Sequence, residues 1–166
     1  YDLSFCGTIH TDRYELIQQL KEICATVGLR EFDYPYLQSD FVFWVYKIWD
    51  HRYRKLKKSD FKYIPMSTEE VQELMRESIA LLDIQHPNQS GLTMRAIESI
   101  GARRKLVTTN KDIINYDFYN PQNIYLFDRK HPYLDEAFFE SEYEDIPNEV
   151  YQKYSITQWV DDVLLM

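Results

Sequence analysis

Short apolar runs alternate with longer stripes at helical spacing along this chain of 166 residues. Residues 3–6 (Leu-Ser-Phe-Cys) read as a strand that stops at Gly7. Thr11 or Asp12 then caps a helix with Leu16, Ile17, Leu20, Ile23, Cys24 and Val27 on one face, and Gly28 closes it. A second strand is predicted over 30–33 and a third over 61–64. The aromatic stretch 40–49 has the apolar content of either a strand or a helix, and reads better as a helix. Ser67 and Glu70 form a capping box for a helix whose stripe is Val71, Leu74, Met75 and Ile79.

Residues 80–84 (Ala-Leu-Leu-Asp-Ile) are continuously apolar but for one Asp, as in a parallel strand covered on both faces. A polar loop, 85–91, leads into a helix expected from Leu92 to about Gly101. Further strands are predicted over 105–109 and 123–127, and Ser155 with Gln158 caps a last helix bearing Ile156, Trp159, Val160, Val163 and Leu164. Strands alternating with helices require parallel pairing and right-handed crossovers. The fold class expected is therefore α/β, a doubly wound, Rossmann-like, mostly parallel sheet of about six strands flanked by helices. No repeat or low-complexity linker divides the chain, so 1–166 reads as a single domain.

Composition narrows the partners. A formal net charge of −8 opposes nucleic acid, whose affinities rest on neutralising phosphates. Locally, residues 51–58 carry Arg52, Arg54, Lys55, Lys57 and Lys58, while 135–149 is acidic. The basic run suits a solvated helix end; preceded by Phe41, Phe43, Trp44 and Trp49, it also suits peripheral contact with anionic lipid. The 14 Tyr and 9 Phe fit either core packing or an interface, with a homo-oligomer or a further domain as partner. Cys6 and Cys24 lie in no CxxC or metal spacing, and reduced thiols in the cytoplasm are expected. No apolar run approaches the ~18 residues that span a bilayer. The chain opens on Tyr1 at the edge of a strand, which suggests a piece of a longer protein.

Open parallel sheets bind ligands beyond the carboxyl ends of their strands. One such turn holds Gly7 and Thr8, then His10 and Arg13; glycine there serves either turn geometry or close approach of a ligand. In a second turn, Ile64, Pro65 and Met66 form either a slot for a flat base or a staple at a helix entry. The richest turn runs from Gln85 to Glu98. It holds His86 and Ser90, then Gly91, Leu92 and Thr93 at a helix start suited to an anion. Arg95 adds charge, and Glu98 can accept two hydrogen bonds from a ribose diol. Arg95 and Glu98 equally suit an exposed ion pair. No Asp-x-Asp or carboxylate pair is placed for a metal, and no GxGxxG follows the first strand, which counts against a nucleotide-sugar epimerase.

The stretch 80–110, ALLDIQHPNQSGLTMRAIESIGARRKLVTTN, resembles the donor-binding segment of GT-B glycosyltransferases of group 1. It is most similar to capsule- and lipopolysaccharide-biosynthesis proteins and the CgeB-like group. The shared pattern is a strand and loop, the Gly91 turn, a helix with Glu98, the small residues Gly101 and Ala102, and a strand ending in Thr109. Residues 2–8 and the last helices with Trp159 resemble the flanks of the same C-terminal domain.

That resemblance implies a nucleotide-diphosphate sugar as substrate and no cofactor. Glu98 would hold the ribose. Amides of Gly91, Leu92 and Thr93 would cradle the diphosphate, with Arg95 and Arg13 adding charge and Gly7 and Thr8 approaching from the other side. Many retaining members carry E-x7-E; Ser90 stands at the first position here, and His86 is the candidate replacement for the lost sugar contact. The resemblance also implies an N-terminal acceptor-binding domain of the same protein, which would supply the general base. The alternative is an interaction domain that kept the fold and lost the donor.

Overall fold

A computed structural model describes residues 1–164. Five strands form one parallel sheet: β1 Leu3–Thr8, β2 Glu31–Tyr36, β3 Ala80–Asp83, β4 Lys105–Thr108 and β5 Ile124–Leu126, in the order β2-β1-β3-β4-β5. The helices are α1 Arg13–Val27, α2 Asp40–Trp49, α3 Thr68–Arg76, α4 Met94–Ala102, α5 Glu136–Glu140, α6 Asn148–Lys153 and α7 Ile156–Leu164. The doubly wound parallel α/β class stands, with five strands.

Side-chain alternation divides the core in two. Leu3, Phe5, Leu82, Ile84 and Val107 pack with Leu16, Ile17, Leu20 and Cys24 of α1, Phe43 of α2 and Phe138 and Phe139 of α5. On the other face Leu106 and Ile124 pack with Ala96 and Ile100 of α4, Ile113 and Phe118, flanked by Val150 and Tyr151 of α6. The sheet is thus sandwiched between helices, and its central strands β3 and β4 are buried along their whole length. Much of the aromatic content is internal: Phe61 lies 4.8 Å from Tyr14 and 5.8 Å from Phe43, and Tyr46 lies 4.9 Å from Tyr53, centroid to centroid.

The expected strand at 61–64 is absent among the described residues. Only Lys62 pairs, as an isolated parallel bridge to Tyr36 on the outer side of β2. Phe61 is drawn into the aromatic cluster instead, and Pro65 has no N–H to extend the ladder. Strand β2 begins a residue later than expected and runs three further, through Pro35.

Helix ends show similar shifts. Asp12 stands at the N-cap of α1 without capping it, and Gly28 at the C-cap has φ 77°. Ser67 and Glu70 do make a capping box. Helix α4 starts two residues later than expected because the Thr93 hydroxyl caps the amide of Ala96. Gly101 and Ala102 belong to the helix, and Arg103, at φ 51°, makes the left-handed exit. The basic run 51–58 is no helix end; it holds two short 3₁₀ turns, His51–Tyr53 and Lys58–Asp60.

Lys105 opens β4 and is 1% exposed. Its ammonium donates to the carbonyls of Phe138 and Ser141 and to the Ser141 hydroxyl, and lies over the Phe138 ring at 4.7 Å. This ties α5 to the sheet. Lys105→Ala removes all three bonds and leaves the Phe138 carbonyl only the Ser141 hydroxyl, and is expected to cost about 2–4 kcal/mol in urea unfolding and to speed proteolysis within α5.

Candidate functional site

The chain steps from β1 to β2 on one side, then returns to β3 on the other, so the strand order reverses between β1 and β3. These two strands pair only at Leu3–Ala80 and Ser4–Leu81. Beyond Ser4 they separate, while β1 stays paired with β2 as far as Thr8. Separation leaves strand carbonyls without ladder partners, and two guanidinium groups take them up. Arg13 donates from Nη1 to the Thr8 carbonyl at 2.7 Å and from Nε to the Ile84 carbonyl at 3.0 Å, spanning the gap. Arg95 donates from Nη2 to the Cys6 carbonyl at 2.9 Å.

The gap opens into a cleft of about 280 Å³ at the carboxyl edge of the sheet, lined by Gly7, Arg13, Asp83, Gln89, Thr93, Arg95 and Glu98 among others. A second cleft of about 330 Å³ adjoins it and is lined by Thr8, Tyr34, Tyr36, Pro65, Met66 and Val71. Cys6, Gly7, Arg95 and Glu98 belong to both. Glu98 accepts from Arg95 Nη1 at 2.9 Å and remains partly exposed at this junction. Gly7 lines both clefts with φ in the ordinary range, and a Cβ there would make ordinary van der Waals contact with the Phe5 ring at 3.4 Å, so neither backbone conformation nor space requires glycine.

The charges are mixed. Asp83 is buried, accepts from the Thr108 hydroxyl at 2.8 Å, and burial pushes its carboxyl above the usual range against that bond and the nearby Arg13. Burial pulls the Arg13 guanidinium below its ordinary value, and raises the Cys6 thiol in spite of Arg95. Arg129, just beyond β5, completes the edge: it pairs with Asp12 and donates to the Gln85 carbonyl and, at 3.3 Å, to the Thr109 hydroxyl. The Asp12 carboxylate is thus turned to Arg129, and its backbone, at φ −92° and ψ 5°, lacks the extended form of a capping residue.

Of the residues singled out in the sequence, Gly7, Thr8, Arg13, Pro65, Met66, Thr93, Arg95 and Glu98 meet around these two clefts. Four do not. Ile64 is 78% exposed, and its contribution is a carbonyl that accepts from the Tyr34 hydroxyl at 2.8 Å. His86 packs against His10 with ring centroids 5.1 Å apart and planes tilted by 44°, and its Nδ1 accepts from the Asn88 amide. Leu92 packs on the apolar cluster beneath α4. Gly91, at φ 79°, turns the loop, and its carbonyl accepts from the Gln85 and Asn110 side chains. With α4 starting at Met94, neither Gly91 nor Leu92 is in its first turn. Ser90 is exposed outside the clefts, whereas its neighbour Gln89 lines the first.

Sequence reasoning missed Asp83, Gln89, Tyr34, Tyr36 and Arg129. Asp83 carried a signal, as the one charge within an apolar strand. Arg129 carried none, because its partners lie at the ends of other strands.

No protein-family model and no curated protein matches the chain. Among solved structures, the crystal structure of the GtfA/B complex aligns with 98% of this chain and 32% of that one, at 12% identity and a TM-score of 0.45. The chain thus spans about a third of the length of the chain it matches. A likeness of that degree specifies no activity; the fold class follows from the strand order and parallel pairing.

Two outcomes are expected from this geometry. Arg13→Met keeps the apolar stem but abandons the Thr8 and Ile84 carbonyls, and should cost about 2–3 kcal/mol in chemical unfolding. His10 provides a pH test. Burial first, then the charge of Arg13, lowers its pKa from the ordinary 6.5 to about 4. Between these values the unfolded chain binds more protons than the folded one. The contribution of neutral His10 is therefore complete above pH 6.5 and is lost as pH falls towards 4. His10→Gln should flatten the fall in melting temperature over that interval; an unchanged slope would remove His10 as its source.

Proposed function

We propose that the paired clefts bind a nucleotide-diphosphate sugar and that this chain is the donor-binding part of a glycosyltransferase acting in cell-surface polysaccharide synthesis. The observation that carries the reading is the position of Glu98 at the junction of the two clefts. A ribose there has a carboxylate for its diol. One cleft beside it offers Tyr34, Tyr36, Pro65 and Met66 to a flat base. The other offers Gly7, Arg13, Arg95 and the first turn of α4 to a diphosphate. The spacing of base, ribose and phosphates along a nucleotide follows the same order. The resemblance of residues 80–110 to donor-binding segments supports the same assignment independently of the clefts.

The chemistry then follows from the leaving group. Glycosyl transfer separates a nucleoside diphosphate from the anomeric carbon, and charge accumulates on its outer phosphate. Guanidinium groups and a helix N-terminus stabilise such charge without reorganisation. Arg95 would exchange part of its pairing with Glu98 for the phosphate, which frees the carboxylate for the ribose hydroxyls. The base that deprotonates the acceptor belongs on this reading to a second, acceptor-binding domain.

A second reading, an interaction domain without donor affinity, is favoured by one observation: Arg13 and Arg95 are already engaged by backbone carbonyls.

Calorimetric titration with a series of nucleoside diphosphates separates the two. Binding in the micromolar to millimolar range is expected for at least one base, weakened about tenfold or more by Glu98→Ala. No heat at millimolar nucleotide, or binding indifferent to Glu98, would transfer the case to the interaction domain. The isolated chain is expected to transfer no sugar to an acceptor.

A further inference from the structure

Helix α2 is apolar on both sides, yet only one side is covered. Phe43, 1% exposed, anchors it in the core together with Val42 and Tyr46. On the opposite side Phe41, Trp44 and Ile48 recur at helical spacing, with Trp49 beside them. Their exposures are 75%, 52%, 70% and 85%. A surface helix ordinarily turns polar residues to solvent. Four large apolar side chains in one exposed stripe mark a surface built to be covered.

The segment that follows is folded against the same helix. Lys47 donates to the Leu56 carbonyl at 2.9 Å, Tyr46 packs on Tyr53, and Lys58 pairs with Asp40. Arg52 is held by Asp50 at 2.6 Å. Arg54, Lys55 and Lys57 are exposed and enter no ion pair among the described residues. The run 50–58 thus sets five Lys and Arg against one Asp, in a protein of net charge −8. Aromatic stripe and cationic segment form one body rather than two loose features.

We propose that α2 and the segment 51–58 dock this protein on an anionic lipid surface. The stripe would lie at the level of the headgroups, where Trp and Phe rings are well placed, and Arg54, Lys55 and Lys57 would meet lipid phosphates. Charge complementarity selects this occupant. The patch is cationic where the molecule as a whole is anionic, so a bilayer of negative lipids attracts this face and repels the rest. Among the described residues no helix is long and apolar enough to cross a membrane, so the contact is peripheral. A second apolar face, on α7 with Ile156, Trp159 and Leu164 exposed, lacks such a cationic border: Asp161 and Asp162 lie within that helix.

Flotation of the 166-residue chain with vesicles tests this. With phosphatidylcholine vesicles containing about 30% phosphatidylglycerol the chain should float; with phosphatidylcholine alone it should not. Raising salt from about 0.05 to about 0.5 M should release it, as screening shortens the reach of the cations. The pair Trp44→Ala and Trp49→Ala, and separately the pair Lys55→Glu and Lys57→Glu, should each weaken partitioning about tenfold or more. Both pairs are solvent-exposed, and circular dichroism would show them folded. Trp159→Ala should leave partitioning unchanged. The proposal falls if anionic vesicles do not bind the chain, or if Trp159→Ala releases it while the α2 variants do not. It falls also if the chain is a dimer that the Trp44 and Trp49 changes dissociate, which would make the stripe a subunit interface. None of these readouts involves nucleotide, so they stand apart from donor binding.

Discussion

The separation of β1 from β3 sets the terms for the rest of the molecule. A parallel sheet gains its cohesion from a continuous ladder, and here the ladder stops after two residue pairs. Unpaired strand carbonyls in a half-buried gap are costly unless a donor replaces the neighbouring strand. Arg13 is suited to that task because its planar fork reaches two carbonyls on opposite sides at once. Its position at the first turn of α1 fixes that helix against both strands. Arg95 does the same from α4 for Cys6. The opening at the switch in strand order is therefore held by side chains rather than by backbone, and side-chain bonds can be exchanged for a ligand.

The polar layer above the sheet repeats this arrangement in wider circles. Arg129 reaches from beyond β5 to the start of α1, to the end of β3 and to the end of β4. Asn110 and Gln85 both hold the Gly91 carbonyl, which sets the loop before α4. Apart from the Gln85–Gly91 bond, which lies within one loop, each joins a segment following one strand to a segment following another. The carboxyl edge is thus a connected layer in which Asp83, Glu98 and Asp12 offset the three arginines. Anion selectivity at such an edge depends on geometry, because the net charge available is small.

Much of this was legible in the sequence, for reasons particular residues make plain. Residues 80–84 and 105–108 announced themselves because strands covered on both faces carry a compact apolar centre, here Leu81–Leu82 and Leu106–Val107. The exposed stripe of α2 was legible as composition but not as orientation, since aromatics at 41, 43, 44 and 49 do not say which are buried. The run 61–64 misled because an apolar tetrapeptide satisfies aromatic packing as well as strand pairing, and Phe61 chose the former. The start of α4 was misplaced because Gly91 and Leu92 precede Thr93, and only side-chain geometry shows which residue caps. Glu98 and Arg95 were placed correctly on one helix face. Arg129 and the Tyr34–Tyr36 wall were not found, since no local spacing connects them to residues twenty or more positions away.

One small feature bears on how copies of this molecule behave together. The outer border of β2 is the long exposed margin of the sheet, and such margins invite other chains to add a strand. Here Lys62 already occupies it, taking the Pro35 carbonyl and giving its own to Leu37, while Pro35 has no N–H to offer. The opposite margin, β5, is three residues long. Strand addition is therefore blocked at the Pro35 end of β2, and β5 offers only a short margin. Copies that meet in a crowded solution are thereby steered towards contact through side chains, where single substitutions tell.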